Sequence, residues 1–350
     1  MSTIPQALSD LSNEWLSFVL DAPVAGFSVT DAHYGTTGRA VLELQYEDQD
    51  QADLPMRLFV KLPPSDEAQR AFVCSSGMGK REAMFYQQLA SEVPVRVPHC
   101  YYAACSDSGD RYIMLLEHLE DSGCSFHNAK DHYSPGYLRS VLASFARLHS
   151  TYWDSPRFTG ELEWLQPPLQ HEIGAQLVAL ALEQHAPAMP PVFAAMCELY
   201  IARTDEIHGL WNRGPDTLIH GDVHDGNMFM DSTEPGFLDW ALTARGPGMR
   251  DVGYFLAGTL KESDQQTMGP DLVSYYRDQL LSHGVAAPSL DHLMQQYRWH
   301  AAYVWVGAVT TLAMGDAWQP LNYTLSSLQR IHCALENLDT VNAITTAILP

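Results

Sequence analysis

The chain has 350 residues, 46% hydrophobic and 18% charged, with 20 Lys+Arg against 42 Asp+Glu for a formal net charge of −22. That much apolar material excludes an intrinsically disordered chain, and the length fits about two domains. The acidic balance argues against a nucleic-acid partner, because each neutralised phosphate needs a Lys or Arg beside it. It suits solubility and leans slightly toward cationic substrates. The first basic residue is Arg39, so no export signal is expected. The longest apolar stretch, 301–314, is too short to span a bilayer and reads as a buried helix, so no membrane association is expected. The six cysteines form no CxxC pair and no zinc spacing, and read as reduced core residues of a cytoplasmic protein.

Thr3, Pro5 and Gln6 make a helix-start pattern, after which Leu8, Leu11, Trp15, Leu16 and Val19 recur at helical spacing. Phe27 and Val29 alternate with polar neighbours. Gly35, Thr36, Thr37 and Gly38 form a turn, and Ala40, Leu42, Leu44 and Tyr46 alternate again, giving strand, glycine turn, strand. A third strand is expected over 56–62, stopped by Pro63 and Pro64. Residues 80–92 carry Met84, Phe85 and Leu89 on one side of a helix. Two β-rich runs follow, 97–103 and 112–116. Beyond residue 119 the texture turns helical, with helices expected over 137–153, 172–185 and 191–211. Two short apolar runs, 217–219 and 236–238, flank a polar loop, and the chain from Asp251 onward is again rich in helix. The expected architecture is α+β: a small antiparallel-sheet lobe with one main helix over 1–119, and a larger helical lobe over 120–350.

The polar loop holds the chemistry. Asp222, Asn227 and Asp239 are hard oxygen donors, and the apolar runs on either side would close the loop as a hairpin, bringing Asn227 and Asp239 back toward Asp222. Two oxygen donors with open positions suit Mg²⁺, and a third carboxylate can accept the proton of an attacking hydroxyl. These are the parts of a phosphoryl-transfer site. Two other readings stay open. His220, Asp222, His224 and Asp225 would suit a transition metal, implying a metal-dependent hydrolase, though the chain offers no second cluster of paired histidines. Alternatively the loop is a polar surface segment whose residues cap turns.

His220-Gly221-Asp222 with Asn227, followed by Asp239-Trp240, resembles the catalytic loop and metal motif of the aminoglycoside phosphotransferase and choline-kinase superfamily. The stretches 81–86, 95–98 and 245–251 resemble its ecdysteroid-kinase-like, or CHK-type, branch. The resemblance runs from about Phe27 to about Leu260. It implies a bilobal protein-kinase-like fold and ATP with Mg²⁺ as cofactors. It also implies Asp222 as catalytic base, His220 as the brace of its loop, Asn227 and Asp239 as metal ligands, and Asp251 as a support from the following helix. The backbone of Glu117, His118 and Leu119 would face adenine.

Lys61 lies on the third expected strand among Leu58, Val60 and Leu62. Either its stem lies on the sheet with the ammonium in water, or it points inward and needs a partner. Glu82 on the next helix supplies one. A strand Lys paired with a helix Glu is how kinases fix the α/β-phosphates. The glycines of the 35–38 turn would let backbone N–H groups approach those phosphates, although the turn departs from the protein-kinase pattern and also suits an ordinary hairpin. His149 reads as a core histidine with its hydrogen bonds satisfied. Trp153, Trp164 and Trp211 read as packing residues, with an aromatic cage for a quaternary ammonium as the other option.

Asp239 is followed by Trp240-Ala241 rather than Phe-Gly, so no kinase-style flip is expected. No long activation segment separates Asp239 from Asp251, which favours a small hydroxylated acceptor over a protein. The expected function is an ATP-dependent O-phosphotransferase acting on a small molecule, with aminoglycosides, choline and steroids among the candidate acceptors. The alternative is a kinase-fold protein that binds nucleotide or ligand without chemistry.

Overall fold

A computed structural model of the chain describes residues 4–34, 37–48, 54–126, 133–168, 172–316 and 318–349. Thr3, Gly35 and Thr36 lie outside the described residues. The first elements are helix α1 (Asn13–Leu20), strands β1 (Val24–Tyr34), β2 (Gly38–Tyr46) and β3 (Arg57–Leu62), and helices α2 (Glu67–Ser76) and α3 (Met78–Gln88). Strands β4 (Cys100–Cys105) and β5 (Tyr112–Glu117) follow, then helices α4 (Pro135–Thr151), α5 (Glu172–His185), α6 (Pro191–Ala202) and α7 (Thr204–Trp211). Next come the short strands β6 (Thr217–Ile219), β7 (Met228–Asp231), β8 (Glu234–Phe237) and β9 (Ala244–Gly246). The chain ends with α8 (Met249–Thr259), α9 (Glu262–Ser282), α10 (Leu290–Met314), α11 (Leu321–Asn337) and α12 (Thr340–Ile348).

The chain divides into two compact units, one of residues 1–127 and 227–243, the other of 128–226 and 244–350. The first is built on an antiparallel sheet in the order β1-β2-β3-β5-β4. Strand alternation sends Leu42, Leu44, Leu58, Val60, Leu62, Ile113 and Leu115 into one core with Leu16 of α1. The intervening residues, Lys61 among them, take the opposite face. Helix α3 packs against β4 and β5. Gly79 permits a close approach there, since a Cβ at that position would lie 2.0 Å from the Tyr112 ring. A sheet covered in this way buries Lys61, which is 4% exposed, and the snorkelling alternative is set aside.

Several local expectations change. Residues 8–10 form only a short 3-10 turn, because Leu11 is extended at ψ 139°; α1 starts later, where the Ser12 hydroxyl accepts from Trp15 N–H at 3.2 Å. Helix α2 joins α3 as a second helix between β3 and β4. It has no apolar stripe, burying only Val73, and is defined by its ends: Asp66 accepts from Gln69 N–H at 2.9 Å and Gly77 closes it in the left-handed region. The helix expected over 191–211 breaks at Arg203 into α6 and α7. Of the six free thiols, only Cys124 and Cys197 are buried; the others are half-buried.

The hairpin expected from 217–219 and 236–238 does not form. Strand β6 pairs with β9, Thr217 opposite Gly246, whereas β7 pairs with β8, Met228 opposite Phe237. The turn at Ser232, with φ 56°, closes β7 onto β8 locally, so the nearer partner is taken first. The sequence places the join of the two units near residue 119, with everything later in the helical lobe. In the structure 227–243 groups with the first unit, through bridges from Arg96 to Gly236 and from Ser125 to Met230.

The second unit is helical, with α10 packed on α5, α8, α9, α11 and α12. The apolar stretch 301–314 ends α10, burying Trp305, Val309 and Leu312. Among the described residues no helix is long and apolar enough to cross a membrane.

This core contains neutral histidines. Burial, joined by the charge of Arg250, pushes His208 down to about 4, and burial pushes His332 down to about 4. The folded chain therefore binds these protons more weakly than the unfolded chain, whose histidines titrate near 6.5. Stability is intact above that value and drains as pH falls from about 6.5 toward 4, by about 3 kcal/mol per group at full extent. Thermal melts across this window should show the loss. His332→Leu should flatten the slope, and equal slopes in both proteins would contradict the assignment.

Candidate active site

The loop of residues 220–226 is anchored by a carboxylate within the second unit. Asp251, near the start of α8, is fully buried. Its Oδ2 accepts from the His220 N–H at 2.7 Å and its Oδ1 from the Gly221 N–H at 2.8 Å. Gly221 sits at φ 85°, a left-handed conformation that glycine adopts without strain, and this lets two successive amides aim at one side chain. His149 Nε2 lies 3.3 Å from the same Oδ2, and its Nδ1 lies 2.7 Å from the Tyr276 hydroxyl. A carboxylate oxygen accepts, so Nε2 carries the proton toward Asp251 and Nδ1 accepts from the Tyr276 hydroxyl. His149 is thus a buried histidine with both nitrogens bonded. His220 is also fully buried, and its Nδ1 accepts from the Asp222 N–H at 3.2 Å. Its ring braces the loop's own backbone.

Asp222 projects from this support with its side chain 27% exposed. Tyr254 donates to Oδ1 at 2.8 Å, and His224 Nε2 stands 3.6 Å from Oδ2. The other His224 nitrogen, Nδ1, accepts from Gly226 N–H at 3.0 Å. Burial alone would push the Asp222 carboxyl up. The surrounding His224, Tyr254 and His220 outweigh it and hold it down at about 2. Asp222 is therefore ionised at neutral pH, as a proton acceptor requires. Among the described residues, no group of three or more His, Cys, Asp or Glu converges as a metal cage, so the transition-metal reading of 220–225 has no site to rest on.

In the first unit, the Lys61 ammonium lies 2.7 Å from Glu82 Oε1, 2.6 Å from Oε2, and 3.1 Å from Asp239 Oδ1. Burial alone would push Lys61 down; Asp239 and Glu82 outweigh it and hold it above its ordinary value. Burial pushes Glu82 up, against the pull of Lys61. Glu82 is fully buried, whereas the Asp239 side chain is 38% exposed. Helix α3 grips the residues after Asp239: Arg81 donates to the Ala241 carbonyl at 3.0 Å, and Phe85 stacks on buried Trp240 at 4.0 Å. The β7–β8 hairpin sets Asn227 opposite Leu238, the residue before Asp239, since the Leu238 N–H donates to the Asn227 carbonyl at 3.0 Å.

The remaining expected residues have the following surroundings. The Glu117 N–H is spent on the His99 carbonyl at 2.8 Å, and its carboxylate holds Arg96 at 2.6 Å. His118 faces Asp121 at 3.4 Å, and Leu119 packs with Cys124 and Phe229. Thr37 is half-buried. Gly38 is buried where a Cβ would meet the Pro63 carbonyl at 2.9 Å, so close sheet packing already accounts for this glycine. Sequence reasoning did not single out Tyr254, Tyr276 or Tyr303. Only the spacing of Tyr254 from Asp251, one helical turn apart, could have pointed to it.

Asp251→Ala would strand the amides of His220 and Gly221 and the His149 ring. At ~1–3 kcal/mol for each orphaned buried group, the loss should be on the order of several kcal/mol, read as a lower urea midpoint. Asp251→Asn, which keeps one acceptor, should lose less.

A match to the phosphotransferase enzyme family (APH) covers residues 40–284. A methylthioribose kinase of Bacillus pumilus (strain SAFR-032) is 29% identical over 82 residues, 21% of this chain and 21% of that protein. The chain thus spans about a fifth or less of the length of the curated relatives it matches. Among solved structures, choline kinase from Cryptosporidium parvum Iowa II aligns with a TM-score of 0.54 at 11% identity, covering 98% of this chain and 94% of that one. The GDP complex of aminoglycoside 2'-phosphotransferase-IIIa aligns at 0.53 and 13% identity, covering 94% and 99%. At such identities the structural likeness is one of fold, kinase-like and α+β, while the family match extends over most of the sequence. The chain belongs to the phosphotransferase enzyme family.

Proposed function

We propose that the chain catalyses ATP-dependent phosphoryl transfer to a hydroxyl of a small molecule. The observation that carries this reading is the buried Lys61 ammonium held between Glu82 and Asp239, an arrangement suited to gripping the α/β-phosphates of a nucleotide. Family membership supports it. Asp222, ionised and braced, would take the proton of the acceptor hydroxyl. Asn227 and Asp239 would hold Mg²⁺. Their donors are hard oxygens, and the Lys61 cluster carries two carboxylates against one cation, a surplus of negative charge that a divalent ion offsets. Bound there, Mg²⁺ would neutralise the nucleotide phosphates. Six free thiols and the need for ATP fit a cytoplasmic setting.

The acceptor is sought among alcohols. The net charge of −22 leans toward cations, and the CHK-type resemblance toward bulky lipophilic alcohols. The test is transfer from labelled ATP to a panel of methylthioribose, choline, an aminoglycoside and a steroid alcohol. Asp222→Asn should lower kcat at least ~10²-fold while ATP still binds, the scale expected for loss of a general base. Asp239→Ala should abolish the Mg²⁺-dependent part of nucleotide binding, read by thermal shift. Full activity in Asp222→Asn overturns the reading. Nucleotide binding without turnover on the whole panel favours the non-catalytic alternative.

A further inference from the structure

Asp251 and Tyr254 lie three residues apart on α8 and therefore share one face of that helix. That face holds three successive loop residues: Asp251 takes the amides of His220 and Gly221, and the Tyr254 hydroxyl takes Asp222 Oδ1 at 2.8 Å. A second tyrosine completes the grip from α10. Tyr303 donates to the Gly221 carbonyl at 3.2 Å and meets the Tyr254 ring edge-on at 6.0 Å. The Arg250 guanidinium lies 4.7 Å over the Tyr303 ring. The two helices come this close because Gly253 has no side chain; a Cβ there would sit 2.7 Å from the His300 Cβ.

We propose that Tyr254 is a positioning residue for the transfer step, its hydroxyl fixing the rotation of the Asp222 carboxylate so that Oδ2 has one set direction in which to receive the acceptor proton. The proposal rests on the phosphotransfer reading. In that step the acceptor O–H gives its proton to Asp222 as the new O–P bond forms, and the bond from the γ-phosphorus to the bridging oxygen breaks, releasing ADP. His224, 3.6 Å from Oδ2, is the longer contact, so the 2.8 Å bond from Tyr254 is the closer restraint on the carboxylate, and small misplacements of a reacting group are costly in rate. Burial and the neighbouring Asp222 hold the Tyr254 phenol well above its ordinary range, so it stays a donor throughout the working pH range. Its hydroxyl bonds the carboxylate, which separates it from Asp251, whose contacts shape the loop backbone.

The experiment is Tyr254→Phe in the full chain, assayed with ATP and the best acceptor of the panel, and with water alone as acceptor. The variant loses one oxygen and keeps the ring against Tyr303. Expected are a kcat lower by about tenfold or more, an ATP Kd within about twofold of wild type, and an unchanged melting temperature. Losing a donor also lets the Asp222 carboxyl rise, although His224 and His220 still hold it down, so the acid limb of the kcat profile should move up. A purely structural residue would move none of the turnover readouts at constant stability. Wild-type kcat and an unmoved acid limb in Tyr254→Phe, with Asp222→Asn inactive, overturn the positioning role alone. Full activity in Asp222→Asn overturns the parent reading instead.

Discussion

A single buried carboxylate sets the geometry of the loop on which the rest depends. An unpaired charge as deeply buried as Asp251 would cost several kcal/mol. Here three N–H donors satisfy it: two consecutive backbone amides and the His149 ring. The arrangement works only because Gly221 can adopt φ 85°. With those amides committed, His220 turns inward and Asp222 outward, so the exposure of the Asp222 carboxylate follows from the burial of another. The histidine–tyrosine pair behind Asp251 extends the same logic, since each donor is oriented by the acceptor at its other end.

The first unit solves a related problem with the opposite sign. Strand alternation on β3 places Lys61 on the face away from the leucine-rich core, and α3 closes over the sheet. The ammonium is then held by Glu82 inside and Asp239 nearer solvent. Burial penalises the two charges of the Lys61–Glu82 pair, and their mutual attraction offsets that penalty. Asp239 itself stands in the left-handed region at φ 62°, a conformation that aspartate tolerates better than most residues. The packing of Trp240 and Ala241 against α3 helps to retain it.

Much of this was legible in the sequence because chemistry-bearing residues are rare within apolar patterns. A lysine in an alternating strand, a glutamate on the next helix and a His-Gly-Asp run between apolar segments stand out, and Lys61 and Glu82 do pair. The sheet and most helices follow from period and punctuation. What escaped was set by non-local competition. Strand β6 has three residues, and nothing in them says whether 236–238 or 244–246 will be the partner. Helix α2 lacks an apolar stripe and is announced only by Asp66 and Gly77. Tyr254 and Tyr303 were not singled out, because a phenol's bonding partner is decided by how α8 and α10 pack.

The stacking of Trp240 on Phe85, with Arg81 latched to the next carbonyl, has a consequence for control. In switchable kinases the residues after the metal-side aspartate swing between two resting positions, and covalent modification selects one. Here the stretch after Asp239 is pinned to its helix by a buried, stacked indole. Under the proposed function, a stretch packed in this way leaves control to the supply of the two substrates.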